Sequence, residues 1–107
     1  MITVNNISKA GNTIHMQMKE GEDLLCEAIA QIEKDTAYLE DIVEHKTGFA
    51  YDMGKAILNS IDLKGIEKVV CENAKLHKTL ERLRFKKENC AYSLLLKGYF
   101  SSNCETL

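Results

Sequence analysis

The residues able to do chemistry are few and scattered. The run Gly48-Phe49-Ala50-Tyr51-Asp52-Met53-Gly54-Lys55-Ala56 has the outline of a phosphate-binding loop, in which glycines let main-chain amides approach an anion. It departs from that motif in three places. Five residues separate the glycines instead of four, Ala56 stands where magnesium coordination needs Ser or Thr, and Asp52 would face the anion. His15, His45 and His77 could serve as acid, base or ligand, but none has a nucleophile or second ligand at a diagnostic spacing. Cys26, Cys71, Cys90 and Cys104 lie 45, 19 and 14 residues apart with no C-x-x-C, so neither a zinc site nor a redox dithiol is written locally. They read as free thiols of a reducing compartment, with Cys26 and Cys90 as small buried hydrophobes. The expectation is a protein that is not an enzyme, with no cofactor, no metal and no catalytic residue.

The elements that would have to position any such residues read as helical. Proline is absent, and with six Gly, four Tyr and three Phe in 107 residues the chain lacks the turn and aromatic supply of a many-stranded sandwich. The most apolar stretch, 91–100, is interrupted by Ser93, Lys97 and Gly98 and falls short of the roughly 20 residues of a membrane span. No basic segment followed by an apolar one marks a Sec-type signal, so a cytoplasmic location with no membrane contact is expected.

Residues 1–18 differ from the rest. Ile2 and Val4, then Ile14, Met16 and Met18, alternate with polar residues, and Asn5, Asn6, Ser8, Gly11 and Asn12 between them are turn formers, predicting an extended arm or β-hairpin. The same segment has no acid and is rich in Ser, Thr, Asn and Ile, a composition shared with type III export signals, so a secretion-system substrate or subunit is one remoter alternative. From about Glu22 to Lys46, Leu25, Ile29, Ile32, Thr36, Leu39 and Val43 recur at spacings of 4, 3, 4, 3 and 4, the seam of an amphipathic helix ended by Gly48. A short helix is predicted over 49–61 through Phe49, Met53, Ala56, Ile57 and Ile61, weakened by Gly54. Asp62 then reads as the N-cap of a long helix over 63–97, stapled by Ile61 and Ile66 and followed by a tail, 98–107. Its seam is Ile66, Val69, Asn73, Leu76, Leu80, Leu83, Lys87, Cys90 and Leu94, with Asn73 and Lys87 as candidate register-setting residues. Such a helix would be about 50 Å long. The fold class expected is therefore mainly α: a single domain built as an elongated helical hairpin or coiled-coil-like bundle, with a short middle helix and the N-terminal arm.

Charge divides along the same lines. The net charge of −2 hides nine acids against Lys34 alone over Glu20 to His45, a balance of −8, and eight basic residues against Glu67, Glu72 and Glu81 over Lys64 to Lys87, a balance of +5. On a helix, Lys64, Lys68, Lys75, Lys78, Arg82, Lys86 and Lys97 would form one stripe, while Phe85 and Tyr92 would project from a flank. These patterns predict a non-enzymatic binding module, a regulator, inhibitor or immunity-type protein, chaperone or adaptor, acting on a protein partner or as a homodimer. Leu76, Leu80, Leu83, Phe85, Tyr92 and Leu94 are its candidate contact residues. The alternative is a nucleic-acid-binding regulator using the Lys64 to Lys86 face, with Lys75, Lys78, Arg82 and Lys86 against phosphates.

Overall fold

Ile14, Met16 and Met18 are buried while Thr13, His15 and Gln17 between them are only partly covered, the alternation of a strand with one face on a core. This pattern recurs through the computed structural model, which describes residues 1–7 and 11–100. The chain order is β1 (Ile2–Asn6), β2 (Thr13–Glu20), β3 (Asp23–Glu33), β4 (Thr36–Glu44), α1 (Ala50–Leu63), β5 (Lys68–Cys71), a 3-10 turn (Ala74–Leu76), α2 (His77–Arg82), β6 (Lys86–Glu88) and β7 (Ala91–Leu95). The strands form one seven-stranded sheet in the order β1-β2-β3-β4-β5-β7-β6. Neighbours are antiparallel except β4 and β5, which run parallel as the return through α1 requires.

The expected mainly α architecture is absent. The segment 22–46 is the β3–β4 hairpin, turning through Lys34 at φ 58°. Its 3–4 spacing comes from two β-bulges. Leu25 is the extra residue where Met18 pairs with Cys26 but Lys19 pairs with Leu24, and Glu40 is the extra residue where Ile29 pairs with Asp41 but Ala30 pairs with Leu39. The residues turned inward on β3 are Leu25, Cys26, Ala28 and Ala30, and on β4 Ala37, Leu39 and Ile42. Small Ala side chains carry the period of two, and each bulge breaks it. The segment 63–97 likewise holds three strands and a short helix, and the molecule's 37 × 36 × 26 Å extents cannot contain a 50 Å rod. The chain ends α1 at Gly65 (φ 82°), where the amides of Lys64 and Gly65 reach back to the carbonyls of Ile61 and Asp62. Asp62 thus sits in the last turn of α1 and caps no following helix.

Residues 2–6 and 13–20 do pair antiparallel, as the edge of the sheet and not as an arm laid on helices. Beyond residue 100 lie Cys104 and most of the tail expected over 98–107, outside the described residues, as is Ser8. Among the described residues no helix is long and apolar enough to cross a membrane.

The core lies between one face of the sheet and the helices. Met53, Gly54, Ile57, Leu58 and Ile61 of α1, with Leu76, Leu80 and Leu83 around α2, cover Ile14, Leu25, Ala28, Leu39 and Val69. Gly54 is required there: a Cβ on it would stand 2.6 Å from Cδ1 of the fully buried Leu83. The opposite face, with His15, Glu27, Ile29, Gln31, Tyr38, Val70 and Ser93, is only partly covered.

Candidate functional site

The site is built where the parallel strands part. β4 and β5 pair as Thr36 with Lys68, Ala37 with Val69 and Tyr38 with Val70; beyond Tyr38 no strand among the described residues borders that side of β4. The bulge at Glu40 turns β4 away, and a groove of about 760 Å³ opens there. Tyr38, Leu39, Val70 and Asn73 line it together with Glu33, Glu40 and Glu72, and no basic residue among the described residues does. Two side chains serve the main chain that lacks a strand partner. Asn73 Nδ2 donates to the Glu40 carbonyl (3.2 Å) and to Asp41 Oδ1 (3.3 Å), and the same Asp41 oxygen accepts the Ile42 amide (2.9 Å). Asn73 Oδ1 also accepts the Lys75 amide at 3.1 Å and so starts the 3-10 turn.

About 13 Å further along β4, at the strand rise of ~3.3 Å per residue, the chain enters α1. The helix starts without a side-chain cap from Phe49, leaving its first amides unmatched within the helix. Glu44, the last residue of β4, supplies the acceptor. Its Oε2 takes hydrogen bonds from the amides of Gly48 (2.8 Å), Phe49 (3.0 Å) and Ala50 (3.2 Å). Gly48 adopts φ 105°, a conformation that side chains rarely adopt, and this turns three successive donors toward one oxygen. The positive end of the α1 dipole reinforces the nest. The carboxylate resting in it demonstrates that the donor set fits an oxyanion.

A third feature abuts this loop on the open face of the sheet. Glu27 Oε1 accepts from His15 Nε2 (2.9 Å) and Gln17 Nε2 (3.0 Å), while Oε2 accepts from His45 Nε2 (2.8 Å). Hydrogen bonds from Gln17, then His45, and with them the His15 ring, hold the carboxyl well below its usual range, at about 2, against a smaller opposing effect of burial. The amides of His45 and Lys46 both donate to the Leu25 carbonyl, so the entry to the nest is fastened to β3 through main chain and side chain alike. His77 stands apart, its Nδ1 3.1 Å from the Ala74 carbonyl.

The residues expected to make contacts are placed elsewhere. Leu76, Leu80, Leu83, Phe85, Tyr92 and Leu94 are all buried members of the core, none more than 8% exposed. They share no helical seam: Leu76 closes the 3-10 turn, Leu80 lies in α2, Leu83 and Phe85 follow it, and Tyr92 and Leu94 are inward residues of β7. Lys75, Lys78, Arg82 and Lys86 are exposed but come from the 3-10 turn, α2 and β6, so the stripe drawn on one long helix does not exist. Arg82 lies over the Tyr51 ring at 4.4 Å. Cys26, Cys71 and Cys90 are free thiols; burial pushes Cys26 up to about 11 and raises Cys71, while Cys90 is exposed. No group of His, Cys, Asp and Glu among the described residues has the arrangement of a metal site.

The sequence did offer the decisive segment. The run Gly48 to Ala56 fails as a nucleotide-binding loop because its second glycine, Gly54, is a packing residue inside α1, but the nest needs only Gly48 and the first turn of the helix. The missing signal was the strand before it. With β4 read as a strand, the run Glu44 to Ala50 becomes a strand-to-helix turn containing a glycine.

No protein-family model matches the sequence, and no curated protein matches it. The fold, however, is shared with solved structures. The ribosomal-protein-S18-alanine N-acetyltransferase from Escherichia coli superposes with a TM-score of 0.69 at 13% identity, covering 87% of this chain and 91% of that one. An acetyltransferase of the GNAT family from Staphylococcus aureus gives 0.65 at 7% identity, over 79% and 68%. The chain has the fold of the GNAT acetyltransferases. A further structure of that fold, the PaiA N-acetyltransferase from Thermoplasma acidophilum in complex with coenzyme A, gives 0.63 at 11% identity, over 77% of this chain and 58% of that one. This GNAT-like architecture overturns the expected non-enzymatic helical binding module. The long basic-faced helix on which the nucleic-acid alternative rested is absent with it, and residues 2–6 and 13–20 are paired strands of the sheet.

Proposed function

We propose that the protein is an acyltransferase that draws its acyl group from a coenzyme A thioester and delivers it to an amine. One observation carries this reading: three main-chain amides at the head of α1 converge on a single oxyanion at the end of a strand whose outer edge beyond Tyr38 pairs with no strand among the described residues. Coenzyme A presents a pyrophosphate joined to an extended arm containing amide groups. The nest of Gly48, Phe49 and Ala50 suits the pyrophosphate once the Glu44 carboxylate swings out, which it is free to do as an exposed side chain. The edge of β4 from Glu40 to Glu44 suits the arm, in the manner of an added strand. The thioester, when bound, supplies an activated acyl carbon. The groove at the splay, with Glu33, Glu40 and Glu72 on its walls, holds an ammonium acceptor by charge, and its carboxylates can take the proton that the amine must lose before it attacks. The coenzyme A bound to a neighbour of the same fold supports this reading.

Amide chemical shifts test it directly. Adding coenzyme A should perturb Gly48, Phe49 and Ala50 first and the main chain of Glu40 to Glu44 next, and acetyl-coenzyme A with a panel of primary amines should release free thiol. If those amides stay unmoved at millimolar coenzyme A, the proposal fails.

A further inference from the structure

The two edges of the sheet are treated differently. β6 is three residues long, and all three, Lys86, Lys87 and Glu88, are charged and exposed, the usual protection of an edge against pairing with another chain. β1 is five residues long, Ile-Thr-Val-Asn-Asn, with no charge, no proline and no bulge in its register with β2, and every residue of it is exposed. Ile7 donates its amide to the His15 carbonyl (2.7 Å), so the Ile7 main chain faces β2. Counting back along the alternation of an antiparallel ladder, Asn5 and Thr3 also bond inward to β2. The N–H and C=O of Val4 therefore point outward, away from the sheet. Val4 lies opposite Met18, a core residue, so its side chain and that of Ile2 stand on the helix-bearing face, 38% and 46% exposed.

We propose that β1 is a self-association edge: two copies of this chain pair β1 against β1, antiparallel, about a two-fold axis at Val4. The occupant follows from three properties of the strand. A neutral strand opposes no like charges when it meets its own copy, which β6 cannot do. Centred on Val4, the pairing makes a reciprocal pair of Val4 main-chain hydrogen bonds and sets Thr3 against Asn5 of the other copy, polar to polar. The axis runs perpendicular to the sheet, so both helix layers remain on one side, the two exposed Val4 side chains meet across the axis and each Ile2 faces Asn6 of the other copy. The contact closes on itself, giving a dimer and not a fibre. A five-residue edge covers well under the ~800 Å² per partner of a standard interface, so the dimer is weak and forms at high protein concentration.

Sedimentation equilibrium from about 10 to about 500 µM should show a reversible monomer–dimer equilibrium within that range. The variant Val4→Pro deletes the outward N–H while leaving the inward bonds of Thr3 and Asn5, and should weaken the dimer at least about tenfold with an unchanged circular dichroism spectrum. Val4→Lys, which places two ammonium groups at the axis, should do the same and stands in if the proline variant fails to fold. In the wild type, exchange of the Val4 amide should slow as concentration rises. A protein that stays monomeric to about 500 µM overturns the proposal, as do a dimer indifferent to both substitutions, a Val4 amide whose exchange ignores concentration, and open-ended assembly beyond the dimer. None of these results bears on acyl transfer, whose test is independent.

Discussion

Replacing Glu44 by Ala should make the protein less stable and a better binder of phosphate at the same time. The carboxylate satisfies three amides that α1 cannot satisfy itself, at 2.8, 3.0 and 3.2 Å. Losing a helix cap ordinarily costs about 1 kcal/mol, and three bonds to a charged acceptor on an exposed side chain put Glu44→Ala at about 1–2 kcal/mol. For a chain of 107 residues that is a fall in Tm of about 4–12 °C. The same energy is what an incoming anion must overcome in the wild type to displace the resident carboxylate. Removing it should tighten the binding of inorganic phosphate or coenzyme A by about 5- to 30-fold. Two measurements decide the matter: thermal unfolding of both proteins with and without phosphate, and titration calorimetry with coenzyme A. Phosphate in large excess should raise the Tm of Glu44→Ala more than that of the wild type, because it binds only the folded nest. If the variant loses stability while its affinity for both anions stays level or falls, Glu44 is a helix cap and nothing more, and the nest is not an anion site.

Glu27 should make stability depend on acid. Its folded carboxyl titrates at about 2 against an ordinary 4.5, so its contribution is present above about 4.5 and is lost as the pH falls from there to about 2. The fall would correspond to about 3 kcal/mol in full; with His45 39% and His15 30% exposed, solvent screening reduces it to about 1–2 kcal/mol. Urea unfolding of Glu27→Gln should therefore lie below wild type by that amount at neutral pH and converge with it near pH 2, and a constant gap across the range would exclude the cluster as its source. Gly54→Ala should destabilise by about 1–3 kcal/mol despite the better helix propensity of Ala, because its Cβ meets Leu83. In a Leu83→Ala background, itself costing about 2–5 kcal/mol, the same substitution should become neutral or stabilising by up to about 1 kcal/mol; additive effects would refute the contact.

Composition and spacing determine some of this protein locally. The alternation through Ile14, Met16 and Met18 belongs to a strand and is one, and the pattern Met53, Ala56, Ile57 and Ile61 lies on the helix α1 with Phe49 at its N-cap, since both depend only on a side chain's period along its own element. The chain over 22–46 was illegible for a specific reason. Bulges at Leu25 and Glu40 each add a residue, so the inward positions fall at 25, 26, 28 and 30 and at 37, 39 and 42, while Ile29, Ile32 and Val43 on the less covered positions supply a false helical seam. Over 63–97 the breaks were written as Gly65 and Asn89, both at positive φ, but Arg84 at φ 74° gave no such warning. What only the tertiary structure decided is the chemistry. Glu27 gathers His15 and His45 from 12 and 18 residues away because β2, β3 and the end of β4 lie side by side. Glu44 meets the head of α1 because β4 ends there, and the groove exists because β4 and β5, joined only through α1, pair for three residues and then part. Periodicity along a chain reports which face a residue takes, whereas strand pairing sets which distant residues meet, and that is fixed by the packing of the whole sheet against its helices.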